Sequence, residues 1–465
     1  MTTLAQWVEL HRLAVAGREP EIARDVGDRV ARLWLRTSRF ADVEALANAT
    51  LTLGPDADAL YNLGWAQTVI GQPRHALKSY EQALHLYREA DDRGNEAAAL
   101  NSIGLVHDVL GDREQALTYY QHALPIRREV GDRAGEATTL NNIGAVYDEL
   151  GDRQQALTYY QQALPIRREV GDRAGEATTL NNIGHTYHGL GDRQQALTYY
   201  QHALPIRREV GDRAGEATTL NNIGNVYDEL GDRQQALTYY QQALSIQRDV
   251  GDRAGEARTL NNIGLVHDEL GDRQQALTYY QQALPIRQQV GDRVGEATTL
   301  NNIGAVYDVL GDREQALTYY QQALPIRQQV GDRVGEATTL NNIGLVYKEL
   351  GDRQQALTYY QQALPIRREV GDRVGEAVTR YNIAMIHRDE GNLDKAIGEL
   401  ELVVELDRQV GHPDFASDTA MLEQLRQDRT ARARINPLVS ETAEHRVTTW
   451  IGKLKAKFNN SGTTA

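Results

Sequence analysis

The amino-acid sequence predicts an all-α fold, a solenoid of antiparallel helix pairs, and three observations predict it. A block of forty residues recurs almost letter for letter without insertion or deletion. Apolar residues in each block fall at helical spacing in two stretches. A Gly-Asp signal ends each stretch. A period of this length indicates stacked copies of one unit around a single long core. Near-identical copies open at Gly111, Gly151, Gly191, Gly231, Gly271, Gly311 and Gly351, and weaker copies open at Gly71 and Gly391.

Composition excludes several classes of function. The chain has 465 residues and a net charge of -14, which argues against nucleic acid as a partner. No cysteine is present, so disulfides, thiolate metal sites and cysteine nucleophiles are excluded. Glu9, His11 and Arg12 interrupt any signal-peptide core. No run of about 18 apolar residues predicts a transmembrane segment. We therefore expect a cytoplasmic protein.

Residues 1–57 precede the regular copies. A short helix is predicted around Leu4–Ala16, followed by a Gly-Arg-Glu-Pro turn and a degenerate capping hairpin. The apolar stripes of that hairpin are Ala31 with Trp34, and Ala45 with Leu46 and Leu51.

The array spans residues 58–410 in about nine units, each with a first helix, A, and a second helix, B. Gly191 is expected to end one A helix in the left-handed conformation, and Asp192 to cap the B helix that follows. Gly184 is expected to let the two helices approach closely. Pro205 lies inside the B helix, where the apolar stripe continues past it, so a kinked helix is expected. In this unit the A stripe is Ala177, Leu180, Ile183, Gly184, Tyr187 and Leu190, and the B stripe is Ala196, Leu197, Tyr200, Ala203, Leu204 and Ile206.

The C-terminal part predicts a cap and then a separate helix. Residues 411–435 predict a polar capping helix, and Asn436-Pro437 predicts a break. Residues 436–465 predict an amphipathic helix at Ser440–Phe458 and a disordered tail. That helix either docks on the last repeats, which we favour, or binds a partner, or lies on an anionic membrane surface. The expected buried side of the cap is Phe415, Met421, Leu422 and Leu425, and the apolar face of the last helix is Val447, Trp450, Ile451, Leu454 and Phe458.

The repeated residues resemble those of the tetratricopeptide repeat. The matching positions are Leu180, Ile183, Gly184, Tyr187, Ala196, Tyr200 and Ala203. The usual unit has about 34 residues, whereas this one has forty, and in that it is similar to the subclass found in kinesin light chain. The resemblance implies a right-handed superhelix whose A helices line a concave groove that binds extended peptides or partner domains.

No catalytic, cofactor or metal site is predicted. The motifs HExxH, G-x-S-x-G and the phosphate-binding loop are absent from the sequence. Many bacterial relatives carry an NTPase or protease domain beside the array, but too little sequence remains here for one. His185 and His188 lie three residues apart on one A helix, so they form either a metal pair or, as we favour, two groove-lining histidines without a third ligand.

Differences between the copies concentrate at three positions of the A helix, which we call the varying positions. They are the residue directly after Ile-Gly, the residue three positions later in the chain, and the residue that follows this second one. By helical spacing they form one stripe, together with the first asparagine of Asn-Asn, that faces away from the apolar stripe. This pattern indicates a tuned binding surface, although relaxed drift on an exposed face would also produce variation. In chain order the first position reads Trp65, Leu105, Ala145, His185, Asn225, Leu265, Ala305, Leu345 and Met385.

A ladder of asparagines accompanies this stripe. A side-chain amide donates and accepts at once, so it can pair with a peptide backbone of any sequence. The alternative is that Asn-Asn is solvated or bonds to the neighbouring helix. Carboxylates dominate the stripe as far as Asp308, and its C-terminal end is basic, so a ligand with basic residues is expected. The predicted partner-binding residues are Asn101, Asn141, Asn181, Asn221, Asn261, Asn301, Asn341, Asp148, His185, His188, Asn225, Asp228, Asp268, Asp308, Lys348 and Arg388.

Two functions are compatible with this sequence. The favoured one is a non-enzymatic scaffold that binds a peptide segment or partner protein in the groove. The other is the sensor or regulatory subunit of a bacterial-type signalling system whose NTPase, protease or transcription-factor partner is a separate chain. The sequence does not indicate the oligomeric state.

Overall fold

The computed structural model describes the backbone of residues 3–459, and the side chains of these residues apart from 433–447, 452 and 454–459. All regular secondary structure in this part of the chain is helical. The chain divides into two compact units, Met1–Gly251 and Asp252–Ala465. The predicted segment boundaries at 57, 410 and 435 do not coincide with this division and stay a prediction.

The first unit contains thirteen helices, each packed against the next. From α4 onwards the even-numbered helices are A helices and the odd-numbered ones are B helices. The bounds are α1 Leu4–Gly17, α2 Pro20–Arg36, α3 Phe40–Leu51, α4 Ala57–Val69, α5 Pro73–Glu89, α6 Arg93–Val109, α7 Arg113–Glu129, α8 Arg133–Glu149, α9 Arg153–Glu169, α10 Arg173–Gly189, α11 Arg193–Glu209, α12 Arg213–Glu229 and α13 Arg233–Val250.

The second unit continues the same alternation and ends in one long helix. Its bounds are α14 Arg253–Glu269, α15 Arg273–Val290, α16 Arg293–Val309, α17 Arg313–Val330, α18 Arg333–Glu349, α19 Arg353–Glu369, α20 Arg373–Asp389, α21 Leu393–Val410 and α22 Phe415–Asn459. Among the residues that the structure describes, no helix is both long and apolar enough to cross a bilayer.

The repeated glycine and aspartate set the helix boundaries, as predicted. Gly191 has a φ of 82°, a left-handed backbone conformation that is unfavourable for residues with a Cβ atom. The carboxylate of Asp192 then accepts a hydrogen bond of 3.0 Å from the backbone N–H of Gln195. This cap satisfies one of the amide groups that lack a partner at a helix start. The same pair of signals, at Gly211 and Asp212, separates α11 from α12.

The B helices run through their prolines. Helix α11 extends from Arg193 to Glu209 with Pro205 inside it, so the helix continues as the apolar stripe predicts. The side chains of Ile206 and Arg207, beyond the proline, both contribute to the packing: Ile206 is buried, and Arg207 forms an ion pair with Asp212. The kink expected at Pro205 stays a prediction.

The core of each unit forms where a tyrosine of the B helix meets a glycine of the A helix. Tyr200 and Ile183 are fully buried. A Cβ atom built on Gly184 would lie 2.8 Å from two ring carbons of Tyr200, closer than packed carbon atoms tolerate. The expectation that Gly184 permits close approach is therefore confirmed, and its partner is Tyr200.

Buried glutamates join successive helices. The side chain of Glu176, near the start of α10, is almost fully buried and accepts a hydrogen bond of 2.8 Å from Arg168 Nε at the end of α9. Arg173 also contacts the Glu176 carboxylate and reaches Glu209 of α11 at 2.7 Å. Two guanidinium groups compensate the burial of this carboxylate. These contacts fix the edge where B helices turn into A helices.

The N-terminal helices match the prediction in part. Helix α1 has the predicted extent, and Trp34 and Leu46 are buried as expected. Ala45 is wrong as a core residue, because it is exposed. Helix α3 begins at Phe40, and from that start its buried stripe is Val43, Leu46, Ala47 and Thr50.

The C-terminal helix corrects two further expectations. Leu422 and Leu425 are buried against α21 as predicted, but Phe415, the first residue of α22, is exposed. The predicted break at Asn436-Pro437 does not occur, because α22 is continuous across it. Arginine and alanine dominate the preceding residues, 429–435, and both favour helix strongly enough to carry it through one proline.

The predicted amphipathic stretch lies in the second half of α22. Trp450 is 66% exposed and Ile451 is also exposed, so the favoured docking on the last repeats is not present at these two residues. The side chains of Val447, Leu454 and Phe458, and the tail at 460–465, lie outside the described residues.

Candidate partner-binding face

The A helices carry the predicted binding stripe on one surface. Successive A helices within a unit contact each other, for example α8 with α10 and α16 with α18. B helices show no comparable contact with the next B helix in the described parts of either unit. In each unit the A helices therefore form the closely spaced layer. We call the surface formed by their three varying positions the A-helix face.

Two of the three varying positions are accessible to solvent. On α10, the side chain of His185 is largely exposed, whereas its neighbours Ile183 and Thr186 are fully buried. Glu229 and Val309, at the third position, are also exposed. The exception is Met385 on α20, which is buried in the C-terminal core. The predicted surface stripe is thus where the sequence places it, apart from this last copy.

The second varying position holds half-buried carboxylates. The side chains of Asp148 and Asp308 are mostly buried, and burial raises the pKa of Asp108, Asp268 and Asp308 above the usual aspartate range. Ion pairs with the following B helix offset part of this cost: Arg273 lies 2.9 Å from Asp268, and Arg313 lies 3.1 Å from Asp308.

Some of these carboxylates retain unused acceptor capacity. One carboxyl oxygen of Asp108 and one of Asp148 are buried and accept no hydrogen bond from any residue that the structure describes. A titratable neighbour of Asp148 is His185, with 3.8 Å between Nε2 and Oδ2. Because these oxygens are buried, a cationic ligand group would act on the carboxylates through its charge, which favours their ionised form.

The two histidines of α10 contact different carboxylates. His185 faces Asp148 of the preceding A helix, and His188 Nε2 lies 2.9 Å from Glu229 Oε1 of the following one. Within the described residues, no group of three or more histidine, aspartate or glutamate side chains could hold a metal ion. The histidines join neighbouring repeats along the A-helix face.

The asparagine ladder joins consecutive A helices. Asn141 Oδ1 accepts hydrogen bonds from Thr179 Oγ1 at 3.1 Å and from Asn182 Nδ2 at 3.4 Å. The same oxygen is used in this way at Asn101, Asn181, Asn261, Asn301 and, through its threonine, Asn341. Bonding to the neighbouring helix, the alternative in the sequence analysis, is what the structure contains. Asn221, Asn261 and Asn341 are buried.

This geometry limits what the ladder can offer a partner. The carbonyl oxygen is engaged at Asn101, Asn141, Asn181, Asn261, Asn301 and Asn341, so the expected double role of donor and acceptor is restricted at these positions to the amide nitrogen. The second asparagine of each pair, such as Asn142, donates to this joint, and the first asparagine is equally part of it. Direct contact of these asparagines with a partner stays a prediction.

The remaining predicted residues have individual surroundings. Asn225 accepts a hydrogen bond of 2.7 Å from the Tyr240 hydroxyl, which ties it to the core tyrosine beneath. Asp228 lies 3.4 Å from Arg233. Lys348 is half-buried, and Arg388 pairs with its own neighbour Asp389 at 2.8 Å. The basic C-terminal end of the A-helix face is therefore partly neutralised at Arg388.

The set of predicted residues omitted an apolar cluster. Trp65 and Val69 on α4 and Leu105 and Val109 on α6 occupy the first and third varying positions, and all four are exposed. Helices α4 and α6 contact each other, and the four side chains occupy equivalent positions on the same side of these two helices; we call them the apolar patch. The signal was visible in the sequence as large apolar residues at positions that are polar or small in most other copies.

Comparisons with known proteins agree with this architecture. Family models of the tetratricopeptide repeat match residues 59–94, 95–169, 175–249, 234–289, 255–329, 295–369 and 335–409. No curated protein matches the chain significantly. The narrower likeness to kinesin light chain stays a prediction.

Several solved structures are similar in fold. A Signal Transduction ATPase with Numerous Domains with a tetratricopeptide repeat sensor, from Pyrococcus horikoshii, is 16% identical over 77% of this chain and 55% of its own, with a TM-score of 0.61. The apo quorum sensor NprR from B. thuringiensis is 16% identical over 78% of this chain and 97% of its own, with a TM-score of 0.54. Aspartyl phosphate phosphatase F from Bacillus subtilis is 15% identical over 73% and 93%, with a TM-score of 0.50.

At these identities the similar structures show the fold alone, an α-α superhelix. The family models add the sequence pattern, because they match most of the chain and meet it in the copies where the glycine–tyrosine contact and the Gly-Asp turns recur. The chain therefore belongs to the tetratricopeptide repeat family.

Proposed function

We propose that this chain is a non-enzymatic scaffold that binds a peptide segment or partner protein on its A-helix face. The observation that carries the proposal is the position of the sequence differences. Copies that share their core and turn residues differ at side chains that, apart from Met385, the fold leaves exposed or half-buried on one layer of helices. Membership of a family of protein-interaction modules supports it.

The charge of the A-helix face supports a partner with basic residues. Half-buried Asp108 and Asp148 and exposed Glu149 lie on neighbouring helices, and Arg113 is at ion-pair distance from Glu149. Carboxylates grouped on one face favour lysine or arginine over neutral side chains in a partner. We place such binding in the cytoplasm, as the absence of cysteine favours.

Affinity capture of partners, followed by mass spectrometry, tests this proposal. The combined variant His185→Lys and Ala145→Lys adds positive charge to exposed or half-buried positions of α8 and α10 and should abolish capture of a basic partner. The control variant Gln161→Lys and Gln201→Lys adds the same charge to exposed positions of B helices α9 and α11 and should leave capture intact. If both variants captured the partner equally, the A-helix face would not be the binding site.

The second candidate function is a sensor or regulatory subunit that acts on a separate catalytic chain. Two of the structures with the same fold are described as sensors, the quorum sensor NprR and the repeat-bearing signalling ATPase. The identity of the captured partner distinguishes the two functions. An NTPase, protease or transcription factor whose activity changes on adding this protein supports the regulatory role, and a partner whose activity is unchanged supports the scaffold.

A further inference from the structure

The apolar patch is an exposed surface that the proposed binding of a basic ligand does not explain. Val109, at its edge, is 63% exposed, and Trp65 presents a large indole to solvent. Each side chain stands on the A-helix face of α4 or α6, where the core packing beneath is complete, since Leu63 and Ile103 fill it. Apolar area of this kind on a surface indicates a binding partner rather than a packing defect.

Carboxylates border the apolar patch on one side. Asp108 lies between Leu105 and Val109 in the sequence of α6, and Asp148 and Glu149 occupy the corresponding positions of the adjoining helix α8. A ligand that covers the apolar patch and continues along the A-helix face therefore meets large apolar surface first and negative charge next. Its own sequence should combine bulky apolar side chains with lysine or arginine.

The chain itself contains a segment with this chemistry. Residues 446–458 carry Arg446, Lys453, Lys455 and Lys457, no carboxylate, and five apolar residues of the predicted amphipathic face. In the structure the side chains of Trp450, Ile451 and Lys453 are exposed. The segment thus leaves an indole and an isoleucine uncovered, beside cationic residues, in a chain whose net charge is -14.

We propose that residues 446–458 of one copy dock on the apolar patch and the neighbouring carboxylates of a second copy. The two complementary surfaces are different from each other, so the contact is heterologous and can link copies head to tail. Trp450 and Ile451 cover the apolar patch, and the lysines approach Asp108 and Asp148. The inference rests on the proposed function of the A-helix face, because self-association would compete there with other partners.

Sedimentation velocity of the full-length chain over a range of concentrations and at two salt concentrations tests this proposal. We expect reversible association that weakens with salt, because charge pairs at the rim are screened. The variants Val109→Lys and Trp450→Ala should each weaken association about tenfold or more, since each removes a central apolar contact. Both residues are exposed, and circular dichroism should show unchanged helix content.

A matched control is available at the same repeat position. Val309 on α16 is 65% exposed, as Val109 is, but its neighbours at the varying positions are Ala305 and Asp308 and not large apolar residues. The variant Val309→Lys should therefore associate like the wild type. An equal loss of association in Val309→Lys and Val109→Lys would overturn the assignment of the apolar patch.

Mixing the two defective variants gives the sharpest result. The Trp450→Ala chain keeps its apolar patch and the Val109→Lys chain keeps its C-terminal segment, so the mixture should form a dimer that neither variant forms alone. No association of the wild type, no dimer in the mixture, or association only with vesicles of anionic lipid would overturn the proposal. Partner capture that persists while self-association is absent would overturn this inference alone and leave the proposed function standing.

Discussion

Replacing Gly184 by alanine should destabilise its own repeat, although alanine favours helix more than glycine does. The added Cβ atom would lie 2.8 Å from Cδ1 and from Cε1 of Tyr200, and overpacking of this kind costs about 1–3 kcal/mol. The gain in helix propensity is about 1 kcal/mol. The net effect should therefore lie between about zero and a loss of about 2 kcal/mol.

A second glycine separates these two contributions. Gly398 lies inside helix α21, and a Cβ atom there would meet nothing within 4 Å. Gly398→Ala should therefore stabilise α21 by about 1 kcal/mol through propensity alone. The difference between the two variants isolates the contact with Tyr200, and we expect it to be about 1–3 kcal/mol.

Hydrogen exchange read by mass spectrometry is suited to this comparison, because it reports local opening in a chain too repetitive for a single unfolding transition. The near-identity of the repeats would make most peptides ambiguous. The peptide that contains Gly184 also contains His185 and His188, and the one that contains Gly398 is unique as well. Stabilisation of α10 in Gly184→Ala equal to that of α21 in Gly398→Ala would refute the packing argument.

Three further predictions follow from the contacts described above. Replacing Asn141 by alanine removes the acceptor of the hydrogen bonds from Thr179 and Asn182. The free energy of opening the α8–α10 joint should therefore fall by about 1 kcal/mol, which hydrogen exchange of α10 measures. Unchanged exchange would show that these hydrogen bonds do not stabilise the joint. Burial and the neighbouring Asp407 raise the pKa of Asp418 to about 6, so the folded cap binds a proton that the unfolded chain releases near pH 4. Docking of α22 should therefore weaken as pH rises from about 4 to about 6. The variant Asp418→Asn should remove this pH dependence, and a wild-type cap whose docking is insensitive to pH would contradict the prediction. The affinity for the partner should fall as the salt concentration rises, because salt screens each charge pair in the contact. The dependence of affinity on salt should be smaller in Asp148→Asn than in the wild type, because the variant lacks one such pair. Isothermal titration at several salt concentrations measures both dependences, and equal values would exclude Asp148 from the contact.

The fold was predictable because the same local sequence signals for helix ends and helix faces recur in every repeat. Gly191 and Asp192 each act within a few residues of their own position, so their sequence signal needs no knowledge of distant contacts. The partner of Gly184 was also accessible, since Tyr200 lies on the next helix of the same unit. The capping residues and the repeated apolar pattern predict the same helix boundaries, and the structure contains helices with those boundaries.

The predicted binding residues depended on contacts between units and were harder to foresee. Asn141 bonds to Thr179, thirty-eight residues away, and only the packing of neighbouring A helices brings them together. The sequence showed that Asn-Asn is constant, and a constant polar residue serves a joint or a ligand equally well. Exposure of the apolar patch likewise depends on which side of α4 and α6 remains uncovered.

The two misplaced elements have local causes that compete with the rules used to predict them. Proline normally ends a helix, but at Pro437 the arginine- and alanine-rich residues before it carry α22 onward. Ala45 fits an apolar stripe by composition, yet the start of α3 at Phe40 turns Val43 and Ala47 inward instead. In both cases a shift of helix boundaries changed the assignment.

The central claim is that partners bind the exposed side chains of the A helices. Hydrogen exchange of the full-length chain with and without a captured partner tests it most directly, read on the A-helix peptides made unique by Ser102, His185 and Asn225 and on the B-helix peptide made unique by Ser245. The account predicts that the partner slows exchange in A helices such as α6, α10 and α12 and leaves the B helix α13 unchanged. Protection confined to the B helices, or spread equally over both layers, would contradict it.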